Sequence, residues 1–597
     1  MTCVAAVDQM LRAGPLLRYV DATDATVWVE TDRPCEVEVL GRRERTWTVH
    51  GHHYALVRIT GLPPASETPY TVTVDGETVW PPVDSTFPPS VIRTARPGEP
   101  FELAFGSCRR AAPFDDENLK KFGADALAAL AVQMAATPYE EWPDLLFLLG
   151  DQVYADTPSD PLRDRLRAAH ANLGPDYDDV REEILTFEEY TWLYHESWTP
   201  DAIRWLLSTV PSCMLLDDHD LRDDWNTSKA WRDEVTQEIW WRDRTVGAFA
   251  TYWIYQHLGN VSPAELETDP IFAMVRSDIS DEERTRRLEE FAWRSDVEPD
   301  SARWSFHRDF GPGIRLLAID ARCSRVLDPD DRRIVDAAER DWLIARVTEK
   351  PLEHLLVAST LPILLAPAIH HLEGWDEAVA GGAWGRRMTG FGEKIRQGLD
   401  LEHWAAFRRS FDVVLRVLRE LATGDAPPRS ILLLGGDVHC SFTARAELPG
   451  CDPTRPAIQQ LTMSPFRNPL QKRIRVVNRL LRTAPFAMLM HALARTARVA
   501  DVPLDWQIEN GPWFDNGLMT IAIDGPRARV EVKHATVARG DQVLVTTLDM
   551  PLTGPVRGRP DLRTRRRRRS VLRAARRGQG DVGRRPSNGG SAGVART

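Results

Sequence analysis

The sequence has little cysteine, no long uninterrupted apolar run and no basic leader. Seven Cys in 597 residues, an odd number in a long chain, do not suit a disulfide-built scaffold. Residues 1–19 show no basic stretch followed by an apolar core and no twin-Arg pair, so no export signal is read there. The longest apolar runs, Val246–Leu258 and Leu355–Ile369, are too short to span a bilayer or are interrupted by Pro362 and Pro367. The expectation is a soluble, reduced, cytoplasmic protein with no transmembrane segment. A hydrophobic fraction of 43% beside 27% charged residues is globular composition, and the length calls for more than one domain.

Charge is unevenly distributed. The chain as a whole carries −12, yet from Arg557 onward there are fourteen Arg against two Asp, a net of +12 that leaves −24 on the rest. An acidic body is a poor match for specific nucleic-acid binding. The tail, with five consecutive Arg at 565–569, cannot bury a core and reads as disordered, either a non-specific extension or a weak tether for an anionic partner.

Three regions are expected: residues 1–98, 99–550 and a tail over 551–597. In the first, Ala25–Glu30, Cys35–Val39, Tyr54–Ile59 and Tyr70–Val74 mostly alternate apolar and polar residues between Pro- and Gly-containing turns. That is the pattern of a small all-β sandwich of immunoglobulin or fibronectin type. Pro81, Pro82, Pro88, Pro89 and Pro97 form a linker. Beyond it, short apolar runs recur at Phe101–Phe105, Leu145–Leu149, Cys213–Leu216, Ile314–Ile319, Leu355–Ala358 and Ile431–Leu434. Helix-like stretches lie between them, at 124–136, 235–258 and 401–421. Fully apolar strands alternating with helices predict an α/β layered domain. Leu518–Ile523 and Ala528–Lys533 predict a closing hairpin around Asp524-Gly525.

In such sheets the chemistry collects at the carboxyl ends of the strands. Those ends read Gly106-Ser107-Cys108, Gly150-Asp151-Gln152-Val153-Tyr154, Asp217-Asp218-His219-Asp220, Asp320-Ala321-Arg322 and Gly436-Asp437-Val438-His439. Carboxylates converging at buried strand ends repel one another unless a multivalent cation neutralises them. A set of Asp, His, Tyr and thiolate suits a dinuclear site with one harder and one borderline ion. Such a site clamps phosphate-ester oxygens and supplies a metal-bound hydroxide. His219 and Arg322 are suited to bind the phosphoryl group and to stabilise or protonate the leaving oxygen.

Together and in this order, Gly106-Ser-Cys108, Gly150-Asp-x-x-Tyr154, Asp217-Asp-His-Asp220 and Gly436-Asp-Val-His439 resemble the alkaline phosphatase D family of metallophosphatases over residues 15–550. The resemblance implies a calcineurin-like, four-layer αββα sandwich and an iron–calcium site. It implies that Cys108, Asp151, Tyr154 and His439 hold iron(III), that Asp151 bridges, and that Asp218 and Asp437 reach the second metal, calcium in the family. His219 takes the place of the family's phosphate-facing His, and Arg322 that of its active-site Arg. The chain departs from the family pattern in three ways. Asp223 and Asp224 stand where two Asn usually help bind calcium, which leaves the second site open to another divalent ion. A twin-Arg signal is absent, and Trp404-Ala-Ala-Phe407 only loosely matches a Trp-Asp-Gly-Tyr segment. The implied activity is metal-dependent hydrolysis of small phosphomonoesters, phosphodiesters or both. The alternatives are a hydrolase of another ester on the same scaffold and a non-catalytic binding or scaffold protein.

Several conspicuous residues receive plainer readings. Cys213 and Cys440 are expected in the core. Asp217 is passed over in favour of Asp218. Asp220, Asp223, Asp224 and Asn226 are either calcium ligands or capping groups. The pair His370-His371 is expected to line a pocket or the surface, and the aromatic stretch 240–255 to be a buried helix, with a lid over the site as its second reading. The basic amphipathic segment 472–498 is expected to pack against the sheet, with membrane-surface docking as its alternative.

Overall fold

The computed structural model describes residues 10–553 apart from 97, 312 and 452–455. The Arg-rich tail and its expected disorder lie outside the described residues.

Two four-stranded antiparallel sheets build the N-terminal region. One orders Leu11–Val20, Ala25–Thr31, His52–Ile59 and Trp47–Val49; the other orders Arg42–Arg45, Glu36–Val39, Val72–Val74 and Glu77–Trp80. Val27, Val29 and Val57 of the first meet Val37, Val39, Val72 and Val74 of the second in a common core. Alternation is weaker than a half-exposed sheet would show, because Ala25–Thr31 is buried on both faces. The second face, through Trp28, Trp47 and Tyr54, packs on Trp253 and Tyr255 of the following region. The aromatic stretch is thus a buried helix, Trp241–Thr251, continuing into a wider π-turn over Tyr252–Gln256. The helix expected over 235–258 begins only at Trp241.

The larger region is a two-sheet sandwich. Its first sheet orders Ser212–Leu215, Leu145–Leu149, Phe101–Gly106, Gly517–Asp524, Arg527–Ala538 and Asp541–Pro551. The first three strands are parallel, and the hairpin joins antiparallel to Phe101–Gly106. The second sheet orders Phe306–Phe310, Ile314–Ile319, His354–Ser359, Ser430–Gly435, Ala457–Thr462, Ser441–Glu447 and Asp505–Trp513. Four central strands, from Ile314–Ile319 through Ala457–Thr462, run parallel.

Residue alternation along each strand divides the layers. Leu103, Phe105, Leu145, Phe147 and Leu215 face Leu316, Leu356, Leu432 and Leu434 between the sheets. Their neighbours Ala104, Leu146, Leu148 and Met214 pack outward on Leu127 and Leu130 of the helix Ala126–Ala135. On the far side Leu317, Leu355, Val357, Ile431 and Leu433 pack on Leu343, Phe411, Leu415 and Leu418 from the helices Ala337–Thr348 and Arg408–Thr423. Helix, sheet, sheet, helix is the expected four-layer arrangement, with both faces of each parallel strand covered.

One boundary shift matters for the site. The helix expected over 401–421 begins only at Arg408. Residues 401–407 instead make a short turn that buries Glu402 and His403, whose charged groups reach Arg322 and Asp437 at the strand ends described next.

Candidate metal centre and its surroundings

The strand ends of the two sheets meet along one edge. From the first sheet, Phe101–Gly106 leads into Ser107-Cys108, Leu145–Leu149 into Gly150-Asp151 and Ser212–Leu215 into Asp217-Asp218. From the second, Ser430–Gly435 leads into Gly436-Asp437-Val438-His439 and Ile314–Ile319 into Asp320-Ala321-Arg322. The backbone binds these ends together: Cys108 N–H donates to the Gly150 carbonyl at 3.2 Å, and Asp437 N–H to Ser107 Oγ at 3.0 Å.

Glycine precedes both Asp151 and Asp437 because the site leaves no room for a side chain there. A Cβ on Gly150, whose φ is +92°, would lie 2.6 Å from Asp217 Cβ; one on Gly436 would lie 2.6 Å from the Ser107 side chain. The candidate ligands themselves take left-handed backbone, with φ of 57° at Cys108, 54° at Asp151, 58° at Asp437 and 46° at His439. Such conformations cost about 1–3 kcal/mol each in non-glycine residues and cluster where a site demands them.

Two groups of side chains share Asp151. Ligand atoms of Cys108, Asp151 and His439 lie within 4.8 Å of one another, as do those of Asp151, Asp217, Asp218 and Asp437. Tyr154 joins the first group: its hydroxyl donates to Asp151 Oδ2 at 3.3 Å and accepts from Asn468 Nδ2 at 2.9 Å. His439 Nδ1 lies 2.7 Å from the Asn468 carbonyl, which assigns the proton to Nδ1 and leaves the Nε2 lone pair free to ligate. Burial keeps that imidazole neutral by lowering its pKa.

The second group contains Asp217 as well as Asp218, so the choice between them from sequence is not exclusive. Asp220 is a bracket: its carboxylate accepts from the backbone N–H of Asp151 at 3.1 Å, Asp217 at 3.0 Å and Val153 at 3.2 Å. Asp224 N–H donates to Asp218 Oδ2 at 3.1 Å, and Asn226 Nδ2 to the Arg322 carbonyl at 3.2 Å. Asp223 is exposed, with its N–H on Asp156.

Burial sets the electrostatics. Asp151 is pushed well above the usual carboxylate range, first by desolvation and then by Asp217, Asp218 and Asp437. Desolvation raises Asp218 in the same way and, with Asp151 and Asp437 beside it, the Cys108 thiol. Desolvation also raises Tyr154, helped by Asp151 and Cys108. Asp151 Oδ1 and Asp217 Oδ2 are buried without any hydrogen-bond partner. Orphaned buried carboxylate oxygens beside a thiol, a phenol and a free imidazole lone pair fit a metal pair: the acids, thiol and phenol become satisfied as anions, and the imidazole as a neutral donor, once a cation lies between them.

Three basic side chains border the pocket. Arg322, fully buried, places Nε 2.5 Å from Asp217 Oδ1, Nη1 2.5 Å from Glu402 and Nη2 3.3 Å from Asp218 Oδ1. Nε and Nη1 are thus bound to carboxylates of the protein, while the buried Nη2 has no hydrogen-bond partner. Glu402 also accepts from Arg325 at 2.8 Å. On the opposite side His403 holds Glu373 through Nδ1 at 2.8 Å, and its Nε2 lies 3.6 Å from Asp437 Oδ2. At the mouth His219 Nδ1 is 2.8 Å from Asp156 Oδ2, its ring 4.7 Å from that of Tyr154. Burial alone would lower the His219 pKa; Asp156 and Asp151 raise it well above the usual imidazole value.

The structure therefore brings Cys108, Asp151, Tyr154, Asp218, Asp437 and His439 together, with Arg322 and His219 at the border. Sequence reasoning passed over Glu402, His403, Glu373, Asp156 and Asn468. Asp156 follows Tyr154 by two residues in the same loop and was open to notice; Glu373 lies in a helix, Pro367–Ala380, with no local signal. His370 is a core residue, 4.9 Å from the Phe411 ring and 5.0 Å from that of Trp506. Cys213 and Cys440 are buried in the core as expected.

Two face-to-face sheets with acids, an imidazole and a thiol gathered at their strand ends place the protein among the α/β sandwich hydrolases. The PhoD-like phosphatase family profile matches residues 129–466, and the chain belongs to that family. Residues 8–92 match a domain of unknown function, DUF7800. A solved structure named "Structure of PhoD" superposes with a TM-score of 0.55 at 12% identity, covering 92% of this chain and 94% of its own. At that identity the likeness speaks for the fold. No curated protein matches the chain.

Proposed function

We propose that this phosphatase-family hydrolase is a metal-dependent phosphoesterase acting on small phosphomonoesters, phosphodiesters or both. The observation that carries the reading is Asp151: one buried carboxylate, with Oδ1 left without a hydrogen-bond partner, shared by two ligand groups. Cys108, Asp151, Tyr154 and His439 would hold iron(III), and Asp151, Asp218 and Asp437 a second ion, calcium or another divalent metal, with Asp217 beside it. The bound metals would supply neutralisation of a phosphoryl group and activation of water.

The remaining work falls to side chains of the chain itself. Arg322 orients Asp217 and Asp218 and offsets their charge from behind. His219, held protonated by Asp156, offers Nε2–H at the partly open mouth, where it can steady a phosphoryl oxygen and protonate the departing alkoxide. His403, fixed by Glu373, keeps a second positive charge against Asp437.

The test is elemental analysis of protein purified without added metal, combined with a panel of phosphate esters, carboxylic esters and amides. Two bound ions with turnover confined to phosphate esters supports the reading. Turnover of carboxylic esters or amides alone, or an active protein free of metal, overturns it.

A further inference from the structure

The helices Lys472–Leu481 and Ala484–Thr496 present an arrangement opposite to that of an ordinary surface helix. Instead of packing on the sheet, as the sequence led us to expect, the first has no buried residue and the second buries only Ala494. The second helix is attached through Leu493, Ala494, Ala497 and Val499 to Trp375 and Val379 of the helix Pro367–Ala380. The first is attached by its arginines: Arg475 and Arg479 lie 5.7 and 5.2 Å from the Phe514 ring, and Arg482 4.6 Å from that of Phe442. With Arg475 and Arg482 half-buried on that side, the apolar side is left outside. Ile474, Val476, Val477 and Leu480 are 46–56% exposed, and Met488 and Leu489 66% and 58%. Of the seventeen large apolar side chains exposed among the described residues, these six fall within sixteen positions on one helix pair, a concentration unlike isolated surface residues.

The charge around the patch narrows its occupant. Lys472, Arg473, Arg495 and Arg498 are exposed, and no acidic residue occurs between Gln471 and Asp501. The Arg-rich tail carries charge of the same sign and offers no complement to the patch. A second copy joined by a two-fold axis would bring basic patch against basic patch. A bilayer with anionic headgroups satisfies both features at once: it takes up the apolar side chains at its boundary and attracts the flanking cations.

We propose that the helix pair over residues 472–498 is a docking surface for an anionic phospholipid bilayer. No helix among the described residues is long and apolar enough to cross a membrane, so the contact is peripheral. Asn468, which binds both Tyr154 and His439, precedes Lys472 by four residues, a span of no more than about 14 Å. Docking would therefore hold the pocket close to the membrane surface. The proposal does not depend on the metals or on the ester hydrolysed.

The experiment is co-sedimentation of the full chain with vesicles of phosphatidylcholine and phosphatidylglycerol, 2:1, and with phosphatidylcholine alone. Because the tail can bind anionic vesicles by charge, the decisive comparison is wild type against a triple variant, Ile474→Ser, Val477→Ser and Leu480→Ser, at ~0.15 and ~0.5 M salt. Docking predicts that wild type keeps measurable affinity for the anionic vesicles at the higher salt. The triple variant should bind them at least about tenfold more weakly, a loss of about 1.4 kcal/mol, with unchanged hydrolysis of a soluble phosphate ester. Equal affinity of wild type and triple variant would assign vesicle binding to the tail and overturn the proposal. So would binding to phosphatidylcholine as strong as to the mixture, or a wild-type dimer that the triple variant turns into monomer while vesicle binding persists.

Discussion

Glu30 and Asp151 are both fully buried carboxylates, and the protein treats them in opposite ways. Glu30, in the N-terminal sheet, accepts from His52 Nδ1 at 2.8 Å, His195 Nε2 at 2.8 Å and the Tyr255 hydroxyl at 2.7 Å. Burial alone would raise its pKa; the hydrogen bonds from His195 and His52 overcome that and hold it at about 2. Asp151, in the pocket, has one orphaned oxygen and three like-charged neighbours, and is pushed far upward. A carboxylate given three donors is a fastener between domains; one left short of donors among other acids waits for a cation. Partner supply, not burial, separates the structural acid from the functional one.

That contrast breaks first, and with the largest effect, at Asp151. Asp151→Asn removes the anion shared by both ligand groups, so bound metal and turnover should be lost together, turnover by at least about a thousandfold, on the order of 4 kcal/mol or more. Full turnover in this variant would end the metal-centre reading. Next comes Arg322→Met, which leaves Asp217, Asp218 and Glu402 without their shared cation; the stability of chelator-treated protein should fall by about 3–5 kcal/mol in urea titration. A loss below about 1 kcal/mol would mean that the acids do not need the arginine. Smaller still is the effect of the metals themselves. A divalent ion at a hundred times its Kd should raise stability by about 2.7 kcal/mol. Asp151→Asn should abolish that increment and Glu30→Gln should leave it intact.

The same contrast explains what could be read from sequence. Strands ending in Gly-Asp, as at Gly150-Asp151 and Gly436-Asp437, were legible because several such ends recur together with Cys, Tyr and His, where a single one could as well cap a turn, and because both sheets are parallel where those ends meet. A layered α/β domain followed from strands too apolar to leave a face in water; that the layers are two stacked sheets was implied by the family resemblance. What was not legible came from charge partners on distant elements. Glu402 and His403 lie where apolar spacing suggested a helix, but Arg322 and Asp437 hold them inward in a turn. Sequence does not reveal that Asp217 and Glu402 hold two of the Arg322 nitrogens, Nε and Nη1. The helices over 472–498 were misplaced for a related reason. Amphipathic periodicity identifies an apolar face but not the direction it points, and here Phe514 and Phe442 draw Arg475 and Arg482 inward.

The smallest effect tests the Glu30 side of the comparison. Its folded pKa, about 2, lies below the carboxylate's ordinary value of 4.5. Its stabilisation is therefore fully present above about pH 4.5 and is lost as pH falls toward 2. His52 shifts the other way: desolvation lowers its pKa, Glu30 and Glu188 raise it, and the net shift is upward. Its contribution is complete below 6.5 and fades as pH rises through the raised value. Wild type should accordingly lose about 1 kcal/mol between pH 5.5 and 3.5 from Glu30 alone. Because Glu30→Gln carries no titrating group there, the stability gap between it and wild type should narrow by that amount over the same interval. A gap that stays constant from pH 5.5 to 3.5 would mean that Glu30 gains no more from its partners in the folded protein than from water in the unfolded chain, and the distinction between the two buried acids would then rest on Asp151 alone.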